Sequence, residues 1–445
     1  MKWTVGQLDP NKGAFAAVSD ECERFSLMVE GEIPLHLNSA LIRNGPNPLN
    51  GKFKDNSVLS WWPEPATLHS ITFLDDVATA YRNRWIHNQN WATHIECPEP
   101  DKYTPSNPNV NVIKHAGVVH ALAEGGQPVA IDAALNTLGA TDLFEGFTDG
   151  MTAHPKLDPR SQELMTFHAN WTSPFLRYGV IDAEGAKSCE MEISVPAPAM
   201  MHDMAITETH SILMDLNVGY DFSMLARGYQ IPLCWQDDRQ SRLCVVPRHG
   251  GELRWFSIEP CFIQHVVNAF DTPSGDIVLD VVRYPWYFKL EAETLAFLPN
   301  PLGVLYRYTL DLKNGRVSEQ QLCDKHIELP RINEEYTGRM NRYVYAVEQP
   351  SDDEMRGLIR YDLETSEKQQ HFVEEGDQNS EPVFVPRSKG GGEDDGWLLV
   401  CVYCQQSDCS EVRILDAKDI SRPPLATVFL QRRIPAGFHG AWIPN

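Results

Sequence analysis

The sequence predicts an all-β protein, and three observations carry that expectation. Short apolar runs alternate with a repeat of two, turn-forming residues stand between them, and long amphipathic helical stretches are scarce. The 29 glycines and 31 prolines do not collect at one or two linkers but fall between these runs along the whole chain. Many short strands joined by tight turns require that spacing.

In chain order, the best helix candidate is a short piece near the N-terminus, Asp20–Leu27. Strand patterns follow at Glu163–Phe167, Ser211–Leu216, Asp276–Val282, Arg342–Val347, Trp397–Tyr403 and Glu411–Leu415. Turn formers sit where neighbouring runs must reverse: Asp182–Gly185, Asp271–Gly275, Asn314–Gly315 and Asp362–Ser366. The low-complexity stretch Ser388–Asp395, SKGGGEDD, reads as an exposed hairpin tip and not as a linker, so residues 1–445 are expected to form a single domain. A chain of 445 residues built this way suits a sandwich pair or a propeller. No blade signature such as a repeated Trp-Asp appears, and periodicity alone leaves that choice open.

Composition excludes several functions. With 38 Lys and Arg against 61 Asp and Glu, the net charge is −23, and no basic block offsets it, which argues against a nucleic-acid partner. The chain opens MKWTVGQLDPNK without an apolar signal core, and its ten cysteines are scattered; it is expected to be cytoplasmic with reduced thiols and not to be a plant plastid enzyme. Cys401, Cys404 and Cys409 come nearest to a zinc spacing, but Cys401 lies in a strand-like run and no second pair follows. No run approaches the length of a membrane-spanning helix. There is no GxSxG, no HExxH, and no GxGxxG after a strand.

Four of the 15 histidines stand out by context: His154 in DGMTAHPKLDP, His202 in AMMHDMAITE, His265 in CFIQHVVNAFD and His439 in IPAGFHGAWIP. Each begins or interrupts an apolar run, as a residue at a strand end facing an axial cavity would. They are too far apart in sequence for a local clip, so only a closed fold could gather them. Four neutral imidazoles would suit iron, copper, nickel or zinc. Metal-bound imidazoles commonly donate their second N–H to a carboxylate, and three glutamates lie in apolar surroundings: Glu124, Glu328 and Glu381.

The segments TAHPKLDP, MMHDMAITE, HVVNAFD, ELPRIN, EPVFVPR with EDDGWLL, ILDA and FHGAWIP resemble the carotenoid cleavage oxygenase family, which includes lignostilbene-type dioxygenases and a retinoid isomerase. LIRNGPNP at Leu41–Pro48 and the HAG and EGGQP segments extend the resemblance over nearly the whole chain, in order. It implies a seven-bladed β-propeller, with short helices and loops capping the face that carries an axial non-haem Fe(II). The ligands would be His154, His202, His265 and His439. Glu124, Glu328 and Glu381 would orient His202, His265 and His439, leaving His154 without a carboxylate. Val110 would crowd one open coordination position.

The implied reaction inserts both atoms of O2 across a C=C bond and yields two carbonyl products without an external reductant. The protein's task is then to position an apolar polyene or aryl-alkene in a dry tunnel. Stilbene-cleaving members grip a phenol with a Lys just before the first glutamate and an earlier Tyr; here Ala123 and Trp91 stand at those places, which favours a carotenoid or apocarotenoid over a stilbenoid. Tyr284–Phe288 and the stretch Leu295–Leu305 are candidates for either tunnel wall or inter-blade core. Collection of a lipophilic substrate would involve peripheral membrane contact through an apolar patch. No obligate protein partner is expected. Retinoid isomerisation and a non-catalytic binding propeller are the competing readings.

Overall fold

The structure is a computed structural model that describes residues 11–53, 58–74, 77–141, 147, 150–350 and 355–444. Its strands form seven antiparallel blades arranged in a ring. From the outer edge inward, blade one runs Cys22–Phe25, Val77–Trp85, Ala66–Leu74, Ser39–Pro46, Gly440–Pro444. Blade two comprises Asn111–His115, Val118–Leu122, Val129–Ile131 and Thr137–Ala140. Blade three comprises Lys156–Leu157, Leu164–Ala169, Leu176–Ile181 and Lys187–Glu192. Blade four comprises Ala205–Ile206, His210–Asp215, Arg242–Pro247 and Arg254–Ser257, with a two-stranded ribbon inserted.

Blades five and six are one seven-stranded sheet, because the 16-residue strand Arg316–Arg331 serves both. Its first part pairs with Val304–Asp311 at the outside of blade five; from Ile327 it pairs with Tyr343–Glu348 as the inside of blade six. Blade seven uses Val383–Pro386, Gly396–Cys404, Cys409–Asp416 and Ala426–Arg432, and Met28–Gly31 from the N-terminal part closes its outer edge. The ring is therefore sealed twice: a C-terminal strand forms the inner edge of blade one, and an N-terminal strand forms the outer edge of blade seven.

Alternation puts one apolar face of each blade against its neighbour. Leu41, Ile71 and Tyr81 of blade one meet Trp397, Leu399 and Ile414 of blade seven; Val112 and Val129 of blade two meet Ile42 and Leu68 of blade one. Each such buried side chain stabilises the ring by roughly 1.5–3 kcal/mol before the entropy of ordering is counted. The inner strands touch around the axis, Ala205–Ile206 against Phe262–Asp271 and Val383–Pro386 against Gly440–Pro444.

The expected strands and hairpins are present. Gly275 (φ 88°) and Gly315 (φ 68°) occupy left-handed turn positions between paired strands. One expectation fails: Asp20–Leu27 is not helical, and Cys22–Phe25 is an edge strand paired with Ala80–Asn83. A segment of eight residues sustains a helix poorly on its own, and the free edge of blade one supplies backbone partners. The Ser388–Asp395 tip is exposed at Ser388–Gly390 and at Gly392; the Glu393 carboxylate accepts the backbone N–H groups of Arg342 and Tyr343, and Asp394 pairs with Arg360. No helix of the described residues is long and apolar enough to cross a membrane.

Candidate metal centre

The inner ends of the blades gather the expected residues. His154 precedes Lys156–Leu157 in blade three, His202 precedes Ala205–Ile206 in blade four, His265 lies within Phe262–Asp271 in blade five, and His439 immediately precedes Gly440–Pro444 in blade one. Blades two, six and seven send the glutamates Glu124, Glu328 and Glu381. Each blade thus contributes one of the seven side chains.

One nitrogen from each histidine lies within 4.8 Å of those of the other three. His154, His265 and His439 are buried and His202 nearly so, and Nε2 of His202 stands 3.3 Å from Nε2 of His265. Local irregularities aim two of these groups. The register of Phe262–Asp271 shifts on both sides of Val266, and that of Arg316–Arg331 shifts between Glu328 and Arg331, where Leu329 has φ 51°. Bulges of this kind turn a side chain out of strict alternation.

The carboxylates brace the rings. Glu328 Oε2 is 2.5 Å from His265 Nδ1, and Tyr284 donates to Glu328 Oε1 at 2.5 Å. Glu381 Oε1 is 3.0 Å from His439 Nδ1, Oε2 accepts the Gly440 N–H at 2.9 Å, and Arg331 lies 3.4 Å away. Glu124 Oε1 is 3.3 Å from His202 Nδ1 and 3.6 Å from His154 Nε2, without hydrogen-bond geometry to either. His154 therefore has a carboxylate neighbour, shared with His202.

The electrostatics suit a cation at the centre. Burial, then repulsion by the neighbouring imidazoles, holds His154 and His202 well below the ordinary histidine value, so both stay neutral. Burial also lowers His439, while at His265 the Glu328 carboxylate outweighs burial and raises it. Burial pushes Glu124 well above the usual carboxylate range, with Asp203 adding to the effect. Glu381 is fully enclosed, yet Arg331 and His439 bring it down to about 2. His154 Nε2 is a buried nitrogen with no hydrogen-bond partner among the described residues. Four convergent, largely neutral imidazoles with an orphaned lone pair match the donor set of a borderline divalent metal.

Sequence reasoning missed a supporting layer. Asp203, 1% exposed, accepts the Val266 N–H at 2.7 Å and pairs with Lys156 at 2.7 Å, tying the His202 segment to the His265 strand and to the strand after His154. Thr152 Oγ1 donates to the His202 carbonyl and accepts the His154 N–H. The acid in MMHDM adjoins a histidine, the one signal that could have found it.

A cavity of about 650 Å³ opens beside the histidines and includes His202, His265 and His439 in its lining. Val110 and Ala123 also line it, and the Val110 carbonyl accepts the His439 N–H at 3.1 Å. Glu124 leaves 34% of its side-chain surface open, and that surface faces this cavity. Trp91 is not part of the lining: it stacks on His87 at 3.6 Å on the helix Gln89–His94. The Tyr284–Phe288 segment divides, with Tyr284 and Tyr287 on the cavity and Phe288 in the core between blades; likewise Leu302 faces the cavity and Leu305 the core. The short helical pieces Gly13–Phe15 and Val58–Trp61 bring Phe15 and Trp61 over the same space.

A seven-bladed ring with four histidines on its axis, three more blades sending carboxylates and an aromatic cavity alongside defines a class of axial-metal propeller proteins. The chain belongs to the family described as RPE65, retinal pigment epithelial membrane protein, whose pattern matches residues 15–444. It is 31% identical to a carotenoid 9,10(9',10')-cleavage dioxygenase of Crocus sativus, over 97% of this chain and 88% of that one. Among solved structures it resembles a mutant of the Synechocystis apocarotenoid oxygenase, with TM-score 0.87 and 26% identity over 97% of this chain and 98% of that one. A cobalt-substituted form of the same oxygenase matches at TM-score 0.85. The lignostilbene dioxygenase of Pseudomonas brassicacearum matches at TM-score 0.87 and 26% identity, covering 99% of each chain.

Proposed function

We propose that this chain is an Fe(II)-dependent dioxygenase that cleaves a C=C bond of a carotenoid or apocarotenoid with O2, giving two carbonyl products. The observation that carries the reading is the convergence of His154, His202, His265 and His439 beside an apolar cavity. Bound there, a ferrous ion would supply the site of O2 activation. The chain's own residues would do the rest. The imidazoles offer neutral lone pairs, and Glu328 and Glu381 hold the rings by their Nδ1 atoms, fixing which nitrogen faces inward. Glu124 would orient His202, and Val110 would limit space beside the centre. Trp61, Trp62 and Tyr287 would hold a flat polyene and exclude bulk water from the reacting bond. The ten cysteines are free thiols, which supports a reducing, cytoplasmic setting. The substrate and O2 are the partners this reading needs, with membrane contact confined to loading of the polyene.

The second reading, cleavage of a stilbenoid, is favoured by the lignostilbene dioxygenase likeness and by Tyr287, a phenol-bearing residue of the cavity lining. Against it, Ala123 offers no donor to a phenol. Aerobic incubation of Fe(II)-loaded protein with an apocarotenal and, separately, a hydroxystilbene decides between them by product mass. Two carbonyl fragments from the apocarotenal are expected; cleavage of the stilbene alone overturns the substrate class, and a product of unchanged carbon count overturns the reaction.

A further inference from the structure

The cavity beside the histidines has two unlike walls. One is apolar, with Trp61, Trp62, Met200 and Leu302; the other, built by blades one and seven, carries Gln378, Ser380, Ser410 and Arg43. Arg43 is 4% exposed, yet its side chain makes no hydrogen bond and no ion pair with any described residue. Its place in the strand Ser39–Pro46 fixes its direction. Arg43 lies opposite His69 on one side and Gly440 on the other, and directly opposed residues project to the same face. His69 reaches Tyr81 on the face that blade one presents to blade seven, so the guanidinium stands in that seam, where the cavity ends.

A guanidinium withdrawn from water is strongly disfavoured without an acceptor. No described residue of the wall accepts from it, and the nearest charged and hydroxyl groups are engaged elsewhere. Glu381 is committed to His439, Arg331 and Gly440, and Glu411 to Arg413. The hydroxyl of Ser380 accepts from Cys401 N–H and that of Ser410 from Ile434 N–H.

The geometry points to Arg43 as the residue that receives an oxygen-bearing end of the polyene, a carboxylate or aldehyde oxygen, so that the chain selects apocarotenoids carrying such an end over hydrocarbon carotenes. This assignment rests on the reading of the chain as a polyene-cleaving enzyme and adds which polyene it takes and which way round. The planar fork of donors suits a carboxylate best and an aldehyde oxygen next. The apolar remainder lies along Trp61 and Trp62, with the bond to be cleaved beside His202, His265 and His439, which line the same space.

Binding can be read apart from cleavage. Fe(II)-loaded protein held without O2 is titrated, in one detergent, with an apocarotenoic acid, its aldehyde and a hydrocarbon carotene, following quenching of tryptophan fluorescence. The acid is expected to bind at least about tenfold tighter than the hydrocarbon, as a charge-assisted hydrogen bond in an enclosed site implies. Arg43→Gln should collapse that ratio, and Arg43→Lys should keep part of it by retaining charge without the fork. Equal wild-type affinity for acid and hydrocarbon overturns the assignment, and so does a ratio that survives Arg43→Gln. The wild-type comparison decides even where a variant does not fold. With O2 admitted, failure to cleave any polyene overturns the proposed function, whereas cleavage of all three without preference overturns only the role of Arg43.

Discussion

Glu328 shows how much one side chain can govern at the centre. It holds His265 through Nδ1 and is itself held by Tyr284 and by the Leu329 N–H, so both its oxygens are engaged and the imidazole is held in one orientation. Glu328→Gln keeps the volume but loses the charge that favours a ring N–H directed outward, and it is expected to weaken metal binding roughly 10–100-fold. Competition with a graded chelator, read by metal content, checks this; affinity equal to wild type would mean that the carboxylate does not tune the centre. The histidines and glutamates were legible in the sequence because each begins or interrupts an apolar stretch, where a polar residue needs a reason, and because the family resemblance runs through the same segments. Asp203 and Arg43 were not. Asp203 hides behind its neighbour His202, and Arg43 sits in LIRNGPNP, where an arginine beside turn formers looks solvated; only the paired strands reveal that it is enclosed. Trp91, which the family resemblance aligns with a substrate-gripping Tyr, lies on a helix outside the cavity wall, stacked on His87.

At the scale of elements, His439 depends on a loop laid against a strand. Asn44 N–H donates to the His439 carbonyl at 2.9 Å, and Phe438 N–H donates to the Asn44 carbonyl at 3.0 Å. That approach requires glycine on both sides: a Cβ on Gly437 would stand 2.6 Å from the Asn44 carbonyl oxygen, and one on Gly45 would stand 2.5 Å from Gly437 Cα. Gly437→Ala is expected to cost about 1–3 kcal/mol through overpacking and, by displacing His439, to lower metal occupancy at limiting metal. Gly392→Ala meets only an ordinary 3.6 Å contact and should change neither. Denaturant midpoints and metal analysis of the three proteins provide the check; a Gly437→Ala protein with wild-type values of both would show that the loop has room to move. Strands with turn signals at both ends are readable from the sequence, whereas the pattern of Asp20–Leu27 suggests a helix because the strand partner of Cys22–Phe25, Ala80–Asn83, is far away in sequence. The same limit applies to Arg316–Arg331: two blades share one strand, and no local pattern marks where one blade ends.

Across the whole molecule the decisive feature is closure, since seven blades must each deliver one side chain to one point and the ring joins only at the seam between blades one and seven. Periodicity showed many strands but not the number of blades or their closure, because the closing pairs, such as Arg43 with Gly440 and Val29 with Val428, join opposite ends of the chain. That seam also encloses His69, which burial and then the Arg43 charge depress to about 3. A histidine depressed in the folded state adds stability that is fully present above its unfolded value of about 6.5 and is lost as pH falls toward the folded value. The loss amounts to about 1.4 kcal/mol per pH unit for each such histidine. His120 in blade two, brought to about 4 chiefly by burial, adds a second contribution of the same sign. The carboxylates depressed in the fold, Glu381 among them, begin to act only below their unfolded value near 4.5, whereas carboxylates raised by burial, Glu64 and Glu124, act with the opposite sign above it, so it is the difference between wild type and a His69 variant from pH 6.5 to 5 that isolates His69. In metal-free protein, His69→Gln, which keeps a hydrogen bond to Tyr81 within reach, is therefore expected to remove a loss of about 1.4 kcal/mol per pH unit from the stability slope across that interval. Denaturant unfolding at closely spaced pH values measures both slopes. Parallel slopes for wild type and His69→Gln would show that the proton enters elsewhere and that the seam is not where acid opens the ring.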